Sequence, residues 1–596
     1  MQSAETVLDI IQKHGRKRLP LERLYRQLFN PGLFLLAYGR LYSNKGAMTP
    51  GVGTETVDGM SLAKIESIIE AIRHERYRFK PVKRVHIPKK NSGKTRPLGL
   101  PTWSDKLVAE VVRLLLEAYY EPQFSDHCHG FRPRRGCHTA LREIVDVWKG
   151  THWFIEGDIS NCFGSLDHQV MLSTLAEKIH DGRLLRLIKQ MLQAGYLEDW
   201  IWGATLSGAP QGGVASPILS NIYLHRLDSF VETVLLPEYN RGNRRALNPA
   251  YQQIEYAIQR ARRHGDRDAM HKLRKQRRLY PSQDPADPGY RRLRYVRYAD
   301  DWLLGFSGPR AEAEQIKQRI ADFLRDDLKL ELSEAKTLIT HAQTGRARFL
   351  GYEITAQHNN TKITRGRRAV NGAIGLRVPK DVIESKCALY MQRGQPAQRP
   401  QMLYDDDFTI VGKYGAEYRG YVQYYLLAAD VYKLGKLRWV METSMLKTLA
   451  GKHRSSVSKM ARKYKAKTAT PYGPRACFEV VVHRGGGKKP LVARFGGIPL
   501  HRQHTATLND QAPSLSTIRG NELIHRLLAG GCEICKATAG IEVHHIHKLA
   551  DLNRPGQRAR PTWVRLMAMR RRKTLVVCRT CHEAIHAGRP TAASAE

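Results

Sequence analysis

Tyr298-Ala299-Asp300-Asp301 interrupts an alternating apolar stretch, with Tyr295-Val296-Arg297 before it and Trp302-Leu303-Leu304-Gly305-Phe306 after it. The pattern predicts a tight β-hairpin with two adjacent carboxylates at its tip. Adjacent aspartates repel one another, and a folded turn holds them at low cost only when a cation neutralises them. A third carboxylate, Asp158, ends the apolar run Trp153-Phe154-Ile155-Glu156-Gly157. Two strands that deliver carboxylates to one point suit a pair of Mg²⁺ ions, one for an attacking hydroxyl and one for a leaving pyrophosphate. Few folds meet that demand, so this array constrains the chain more than any other feature.

The charge balance points to a polyanionic partner. Among 596 residues, 97 Lys and Arg face 56 Asp and Glu, a formal net charge of +41. Such an excess repels itself unless nucleic acid offsets it. A membrane surface is the competing partner, but the chain has no long apolar span or strongly amphipathic basic helix, so no membrane association is expected. Met1-Gln2-Ser3-Ala4-Glu5 begins no signal-peptide core, and an intracellular location is expected. Of nine cysteines, Cys532, Cys535, Cys578 and Cys581 form two Cys-x-x-Cys pairs, a spacing that suggests zinc rather than disulfides. The other five are scattered and read as small buried apolar residues.

Blocks around the aspartates resemble, in order, the reverse transcriptases encoded by group II introns. Val85-His86-Ile87-Pro88-Lys89-Lys90 and Thr95-Arg96-Pro97-Leu98-Gly99-Leu100-Pro101 look like the fingers segment over the incoming nucleotide. Lys89 and Arg96 would there meet the triphosphate, for which Arg offers a planar fork. His129-Gly130-Phe131-Arg132-Pro133, with Arg134, Arg135 and His138, is similar to the template-handling block. Phe163, five residues after Asp158, stands where the family places an aromatic beneath the sugar to exclude a 2′-hydroxyl. Gln211 lies in the nucleotide-binding loop Ser207-Gly208-Ala209-Pro210-Gln211-Gly212-Gly213. Lys336 and the strand Phe349-Leu350-Gly351-Tyr352 complete the series. The resemblance implies that Asp158, Asp300 and Asp301 are the catalytic, Mg²⁺-binding residues of the polymerase.

Two further features set the intron group apart from retroviral relatives. One is an N-terminal extension with Asn44-Lys45-Gly46-Ala47-Met48-Thr49-Pro50-Gly51 and Glu55-Thr56-Val57-Asp58-Gly59-Met60. The other is a polar insertion from Asn240 to Pro288, helical near Tyr251–Arg263, read as an RNA-gripping surface. Helices are expected over 410–467. Tyr414, Tyr418, Tyr421 and Tyr425 there share one face and read as a packed stripe. A following helix carries Lys447, Lys452, His453, Arg454, Lys459, Arg462 and Lys463, and resembles the thumb or maturase region. Thr468 to Asn521, rich in Pro, Gly and polar residues, reads as a DNA-binding or linker region.

The C-terminal unit contains Val543-His544-His545-Ile546-His547 and Cys578-Arg579-Thr580-Cys581-His582-Glu583-Ala584-Ile585-His586. His582 and His586 are one helical turn apart, so both can reach one ion. The arrangement resembles the HNH endonuclease fold. By that resemblance His544, His582 and His586 bind the nuclease metal, of the Mg²⁺ type, and His545 activates the water. The family's central Asn, nine residues before His582, is Lys573 in this chain.

The expected fold is multidomain α+β: right-hand polymerase fingers and palm with a helical thumb, plus a small zinc-containing ββα HNH domain. The expected divisions are 1–80 for the extension, 81–365 for fingers and palm, 366–467 for the thumb or maturase region, 468–525 for the linker and 526–596 for the HNH domain. The resemblance implies a multifunctional protein: RNA-directed DNA polymerase, splicing maturase and site-specific DNA endonuclease, acting in intron mobility by target-primed reverse transcription. Its partners are then group II intron RNA, target DNA and deoxynucleoside triphosphates, in the cytoplasm or nucleoid of a prokaryote or in an organelle. Two readings compete: a non-catalytic RNA-binding splicing cofactor, against which the three aspartates argue, and a defence or retron-like reverse transcriptase.

Overall fold

The computed structural model describes residues 2–44, 46–88, 95–198, 213–359, 370–484, 489–508, 521–548 and 561–589, with a few residues between these spans. Lys89, Lys90, Pro210, Gln211, Gly212 and the loop Gly485-Gly486-Gly487-Lys488 lie outside the described residues.

The architecture is mixed helix and strand, with three separate hydrophobic clusters among the described residues. The first joins the N-terminal helices to the middle of the chain. Helices Ala4–Arg16 and Pro31–Leu41 pack on the long helix Trp103–Tyr120, whose Leu107, Val111, Leu115 and Tyr119 are fully covered. Each of the three starts on a capping side chain, Ser3, Asn30 or Thr102, which accepts a backbone N–H that the helix leaves orphaned. Strand Val82–Pro88 pairs antiparallel with Thr95–Leu100 and parallel with Tyr196–Glu198.

A four-stranded antiparallel sheet sits at the centre, in the order Arg292–Tyr298, Asp301–Ser307, Trp153–Asp158, Ile339–His341. Apolar residues line both of its faces because both faces are covered. Leu293, Tyr295, Leu304 and Phe306 join the first cluster, while Phe154, Val296 and Leu303 join the second. The second cluster continues through strands Tyr352–Ala356 and Ile374–Arg377 into helices Asp407–Tyr424 and Gly435–Lys452. Tyr414 and Tyr418 are fully buried there and Tyr425 nearly so, as the stripe predicts.

Two departures from expectation are instructive. The basic run after the stripe is split between two helices, Gly435–Lys452 and Val457–Tyr464. The break falls where Arg454 takes a positive φ and Ser456 caps the next helix through its Oγ. Lys452, His453 and Tyr464 converge on Asp407 across the break, so part of that basic face is consumed inside the fold. The region expected as a linker holds a three-stranded antiparallel sheet, Lys465–Thr468, Arg475–Val482 and Leu491–Gly496. It packs Ala493 and Phe495 onto helix Asp407–Tyr424. Gly415 permits the approach, since a Cβ there would run into the Arg494 carbonyl. In the 240–288 insertion the expected helix spans Pro249–Arg263 and is followed by a second, Arg267–Arg277, with Arg277 paired to Glu255.

The C-terminal unit pairs strand Ile541–His545 antiparallel with Thr574–Cys578, which runs directly into helix Arg579–His586. It does not stand apart from the rest. Asn521 caps helix Glu522–Leu528 and donates to the Gly39 carbonyl at 3.2 Å, while Met60 and Val543 form an antiparallel bridge. Among the described residues no helix is long and apolar enough to cross a membrane.

Candidate functional site

The central hairpin turns through Ala299 and Asp300, with Tyr298 paired to Asp301 and Asp301 paired in turn to Asp158 on the neighbouring strand. Register alone therefore puts Asp158 and Asp301 side by side, with Asp300 at the tip. Burial, then the neighbouring Asp300 and Asp158, pushes the Asp301 carboxyl up to about 7; burial and Asp158 also raise Asp300. Lys336 Nζ lies 2.8 Å from Asp158 Oδ2 and relieves part of the repulsion. Carboxylates brought together so that burial and their neighbours raise two of them make a site that suits a divalent cation.

The turn is held from beneath by residues that sequence reasoning missed. Ala299 adopts φ 57°, a left-handed conformation that costs a non-glycine residue about 1–2 kcal/mol. Arg297, fully buried on the incoming strand, donates from Nη1 to the Ala299 carbonyl at 2.8 Å. Its charge is met by Asp228, also fully buried, through Nε at 2.7 Å and Nη2 at 2.6 Å. Burial pushes Asp228 up, yet the guanidinium prevails and holds its carboxyl well below the usual range. Asn221, two turns earlier on the same face of helix Ser216–Phe230, accepts from Arg297 at 3.3 Å and donates to the Gly130 carbonyl at 2.9 Å. Gly130 itself lies so close to Ala299 that no Cβ would fit. The available signal was an arginine at an inward-facing strand position, which is rare without a buried acid to match it.

Phe163 lies on the short helix Cys162–Ser165 just past Asp158, half-exposed, its ring edge-on to Phe131 at 6.2 Å. It is therefore not a fully buried core side chain. Arg96 is exposed on strand Thr95–Leu100, opposite Ile87. The template-like block is more structural than its composition implies. Arg132 is buried against Glu121 and the Ser125 and Cys128 carbonyls, and His138 bonds the Tyr424 carbonyl at 2.7 Å.

The second candidate centre is in the C-terminal unit. Sulfur atoms of Cys532, Cys535, Cys578 and Cys581 all lie within 4.8 Å of one another, and Cys535 and Cys578 Sγ are 3.6 Å apart. A tetrahedral ion with zinc–sulfur bonds near 2.3 Å sets sulfurs about 3.8 Å apart, so the four thiols fit zinc. The Ala537 N–H draws the Cys535 thiol down to about 7, easing formation of the thiolate a metal needs.

Beside it His544, His582 and His586 converge, and a fourth residue joins them that sequence reasoning did not connect: Asp58 of the N-terminal extension. Glu542 Oε2, 2.8 Å from His582 Nδ1, fixes that ring and turns Nε2 toward the cluster. Both ring nitrogens of His544 are buried with no hydrogen-bond partner among the described residues, an expensive arrangement unless an ion takes one of them. His545, next along the strand, does not enter the cluster. Its ring packs against Tyr38 and Tyr42, with Nε2 2.9 Å from the Tyr38 hydroxyl, and burial pulls its pKa down to about 3, so the ring is neutral. Lys573 is exposed and touches this strand only through its carbonyl, which accepts from Ile546 N–H at 3.0 Å.

Three stretches of the chain match known protein families. Residues 87–354 match the reverse transcriptase (RNA-dependent DNA polymerase) family, 380–473 the type II intron maturase family and 532–582 the AI2M/AI1M-like HNH endonuclease family. Group II intron-encoded protein LtrA of Lactococcus lactis subsp. cremoris is 36% identical over 605 residues, covering 98% of this chain and 99% of the relative. The uncharacterized 91 kDa protein in cob intron of Schizosaccharomyces pombe is 33% identical, over 98% of this chain and 72% of its own length. Protein YkfC of Escherichia coli K12 is 32% identical over 56% of this chain and 84% of the relative. With polymerase, maturase and nuclease regions in one chain and a full-length relative of that kind, the protein is a multifunctional group II intron-encoded protein, both reverse transcriptase and HNH endonuclease.

Proposed function

We propose that Asp158, Asp300 and Asp301 are the catalytic ligands of a Mg²⁺-dependent polymerase that copies the intron RNA after target-primed initiation. The observation that carries this reading is the paired register of Asp158 and Asp301 with Asp300 at the turn between strands. Magnesium bound there supplies Lewis acidity to the attacking 3′-hydroxyl and to the departing pyrophosphate. Arg297 keeps the turn in one conformation, so the carboxylates are positioned before substrate arrives. Phe163 closes the space beneath the sugar and selects deoxynucleoside triphosphates; Arg96, with Lys89 and Gln211, meets the nucleotide. Lys336 moves off Asp158 as cations bind.

In hand terms, residues 81–365 are fingers and palm, 366–467 the thumb and maturase region, 468–525 a DNA-binding connection and 526–596 the nuclease domain, with 1–80 as the extension. Intron RNA binds across the basic surface, including the insertion helices Pro249–Arg263 and Arg267–Arg277. The six Arg, Lys and His residues of the second, from Arg267 to Arg277, face a backbone that A-form helices expose more than their bases. Cys532, Cys535, Cys578 and Cys581 hold a structural Zn²⁺. His544, His582 and His586 hold the nuclease cation, which supplies charge to a cleaving phosphate, and His545 is the base that takes the water proton once its ring is free of Tyr38. The protein works where intron RNA and target DNA meet, in a prokaryotic cytoplasm or nucleoid or in an organelle.

Primer extension on an RNA template by the Asp300→Asn protein tests the polymerase reading. The expected result is a loss of orders of magnitude with Mg²⁺; extension at the parent rate would exclude it.

A further inference from the structure

Asp58 and the nuclease histidines are 486 or more positions apart in sequence, yet they form one cluster. Asp58 Oδ2 is 2.7 Å from His586 Nε2, and Oδ1 is 3.3 Å from His582 Nε2 and 3.5 Å from His544 Nδ1. His582 and His586 Nε2 are themselves 3.1 Å apart. A tetrahedral ion with bonds near 2.1 Å to nitrogen and oxygen sets its ligands about 3.4 Å apart, and one ligand atom from each of the four residues lies within 4.8 Å of the others, close enough for small adjustments to meet it. The carboxylate is also built into the interface. Its Oδ1 accepts the His545 N–H at 2.7 Å, Gly59 N–H donates to the Val543 carbonyl at 3.0 Å and Val543 N–H to the Met60 carbonyl at 2.9 Å. This short backbone pairing carries the loop to the strand that bears His544 and His545. His544 is 4% exposed; its Nδ1 has only the long 3.5 Å approach of Asp58 Oδ1, and its Nε2 lacks a hydrogen-bond partner among the described residues, so the cluster offers a buried, poorly satisfied donor.

We propose that Asp58 is a fourth ligand of the nuclease cation, so that the N-terminal extension and the HNH unit share one divalent ion. The proposal rests on the reading of His544, His582 and His586 as metal ligands, and adds a residue from the other end of the chain. Its chemistry is His₃Asp, a set that suits Zn²⁺, Co²⁺ or Ni²⁺ as well as Mn²⁺ and departs from the all-oxygen shell that Mg²⁺ prefers. Four protein ligands fill a tetrahedral shell, whereas a catalytic site keeps a position open. In this arrangement a DNA phosphate has no place on the ion, and the neighbouring His545 is covered by Tyr38 and Tyr42. The docked form therefore stores the cation, and cutting requires Asp58 to withdraw.

The test uses the full-length protein with zinc at the cysteines, titrated with Co²⁺ and followed by its visible ligand-field bands. A four-coordinate nitrogen–oxygen site absorbs strongly, while six-coordinate Co²⁺ at the polymerase carboxylates absorbs weakly. The parent should give the intense spectrum. Asp58→Ala should weaken Co²⁺ binding by about tenfold or more and lose the four-coordinate band. Asp58→Asn keeps the side-chain volume and should shift the same way. Hydrogen exchange at the Gly59 and Val543 amides supplies a second readout: Co²⁺ should slow it about tenfold in the parent and leave it unchanged in Asp58→Asn. Parent-like affinity and spectrum in both Asp58 variants would overturn the proposal. His582→Ala separates this from the reading beneath it. Loss of the band in His582→Ala with retention in the Asp58 variants leaves the histidine site standing and removes Asp58. Retention in all three removes both.

Discussion

Replacing Asp228 with Asn should loosen the catalytic turn although Asp228 touches none of the carboxylates. The side chain is fully buried and is the only acid paired with Arg297 among the described ion pairs. Asn fills nearly the same space but leaves a guanidinium charge inside the protein, and breaking one side of such a pair costs about 3–5 kcal/mol. At 1.36 kcal/mol per decade this is roughly a 100- to 5,000-fold loss in the equilibrium holding the hairpin closed. A chain of several domains does not unfold in one step, so the quantity belongs to local opening, read as hydrogen exchange of the amides in Arg292–Ser307 by mass spectrometry. The double replacement Arg297→Met with Asp228→Leu removes both charges. It should return protection to within about 2 kcal/mol of the parent, since an apolar pair often substitutes for a buried ion pair. Primer extension should remain at least tenfold low in that double variant, because nothing then holds the Ala299 carbonyl. A change under about 1 kcal/mol in the single variant, or parent-like extension in the double, would refute the role assigned to Arg297.

Asp301, with a folded pKa near 7, binds its proton more tightly folded than unfolded. Metal-free stability should therefore fall as pH rises from about 4 to 7, and apparent Mg²⁺ affinity should weaken about tenfold per unit below pH 7; an affinity flat from pH 5 to 8 would contradict this. Phe163→Val should raise ribonucleotide incorporation relative to deoxynucleotide in competition assays, whereas a merely structural Phe would change stability by a few kcal/mol and leave sugar preference alone. Cys535→Ser should cost the bound zinc, measured by metal analysis, and expose residues 526–589 to protease while primer extension on an annealed template persists. Burial, with Arg245 and His341 nearby, pulls His152 down to about 4. Its depressed value means the unfolded chain binds the proton first, so stability should fall as pH drops from about 6.5 to 4; in Arg245→Ala, NMR should find a His152 pKa nearer its ordinary value.

The parts of this protein that were readable in the sequence are those whose meaning is local. The hairpin needed only the alternation around Ala299-Asp300, and its observed register pairs Tyr298 with Asp301 as that alternation requires. The cysteine pairs and the His582–His586 turn are likewise spacing statements, and the structure brings each set together. The sheet over 465–496 was hidden for a physical reason. Only Cys477, Ala493 and Phe495 of its strand residues are buried, so the alternation is thin and its polar face dominates the composition. The break between Lys452 and Val457 was hidden because basic residues on both sides read as one helix, while the deciding residue, Ser456, is a cap in a run of serines.

What the sequence withheld about the sites themselves was partnership at a distance. Arg297 stood in plain view beside the aspartates, but Asp228 lies 69 residues away and Gly130 farther still, and only the fold brings them beneath Ala299. Asp58 was visible as part of a block, Glu55 to Met60, with no hint that its partners come 486 or more positions later. In both sites the metal-ready carboxylates or imidazoles come from short local motifs, while the residues that fix their geometry come from elsewhere: Arg297, Asp228 and Asn221 under the turn, Asp58 and Tyr38 against the nuclease. A motif is legible because at least two of the ligands share one turn or one helical turn, as Asp300–Asp301, each Cys-x-x-Cys pair and His582–His586 do. Positioning has no such restriction, since any element that packs nearby can supply a buried charge or a carbonyl. The N-terminal extension is the clearest case: it supplies both the carboxylate facing His582 and His586 and the hydroxyl facing His545, so the nuclease that reads as a separate unit in sequence is sterically joined to the polymerase half in the fold.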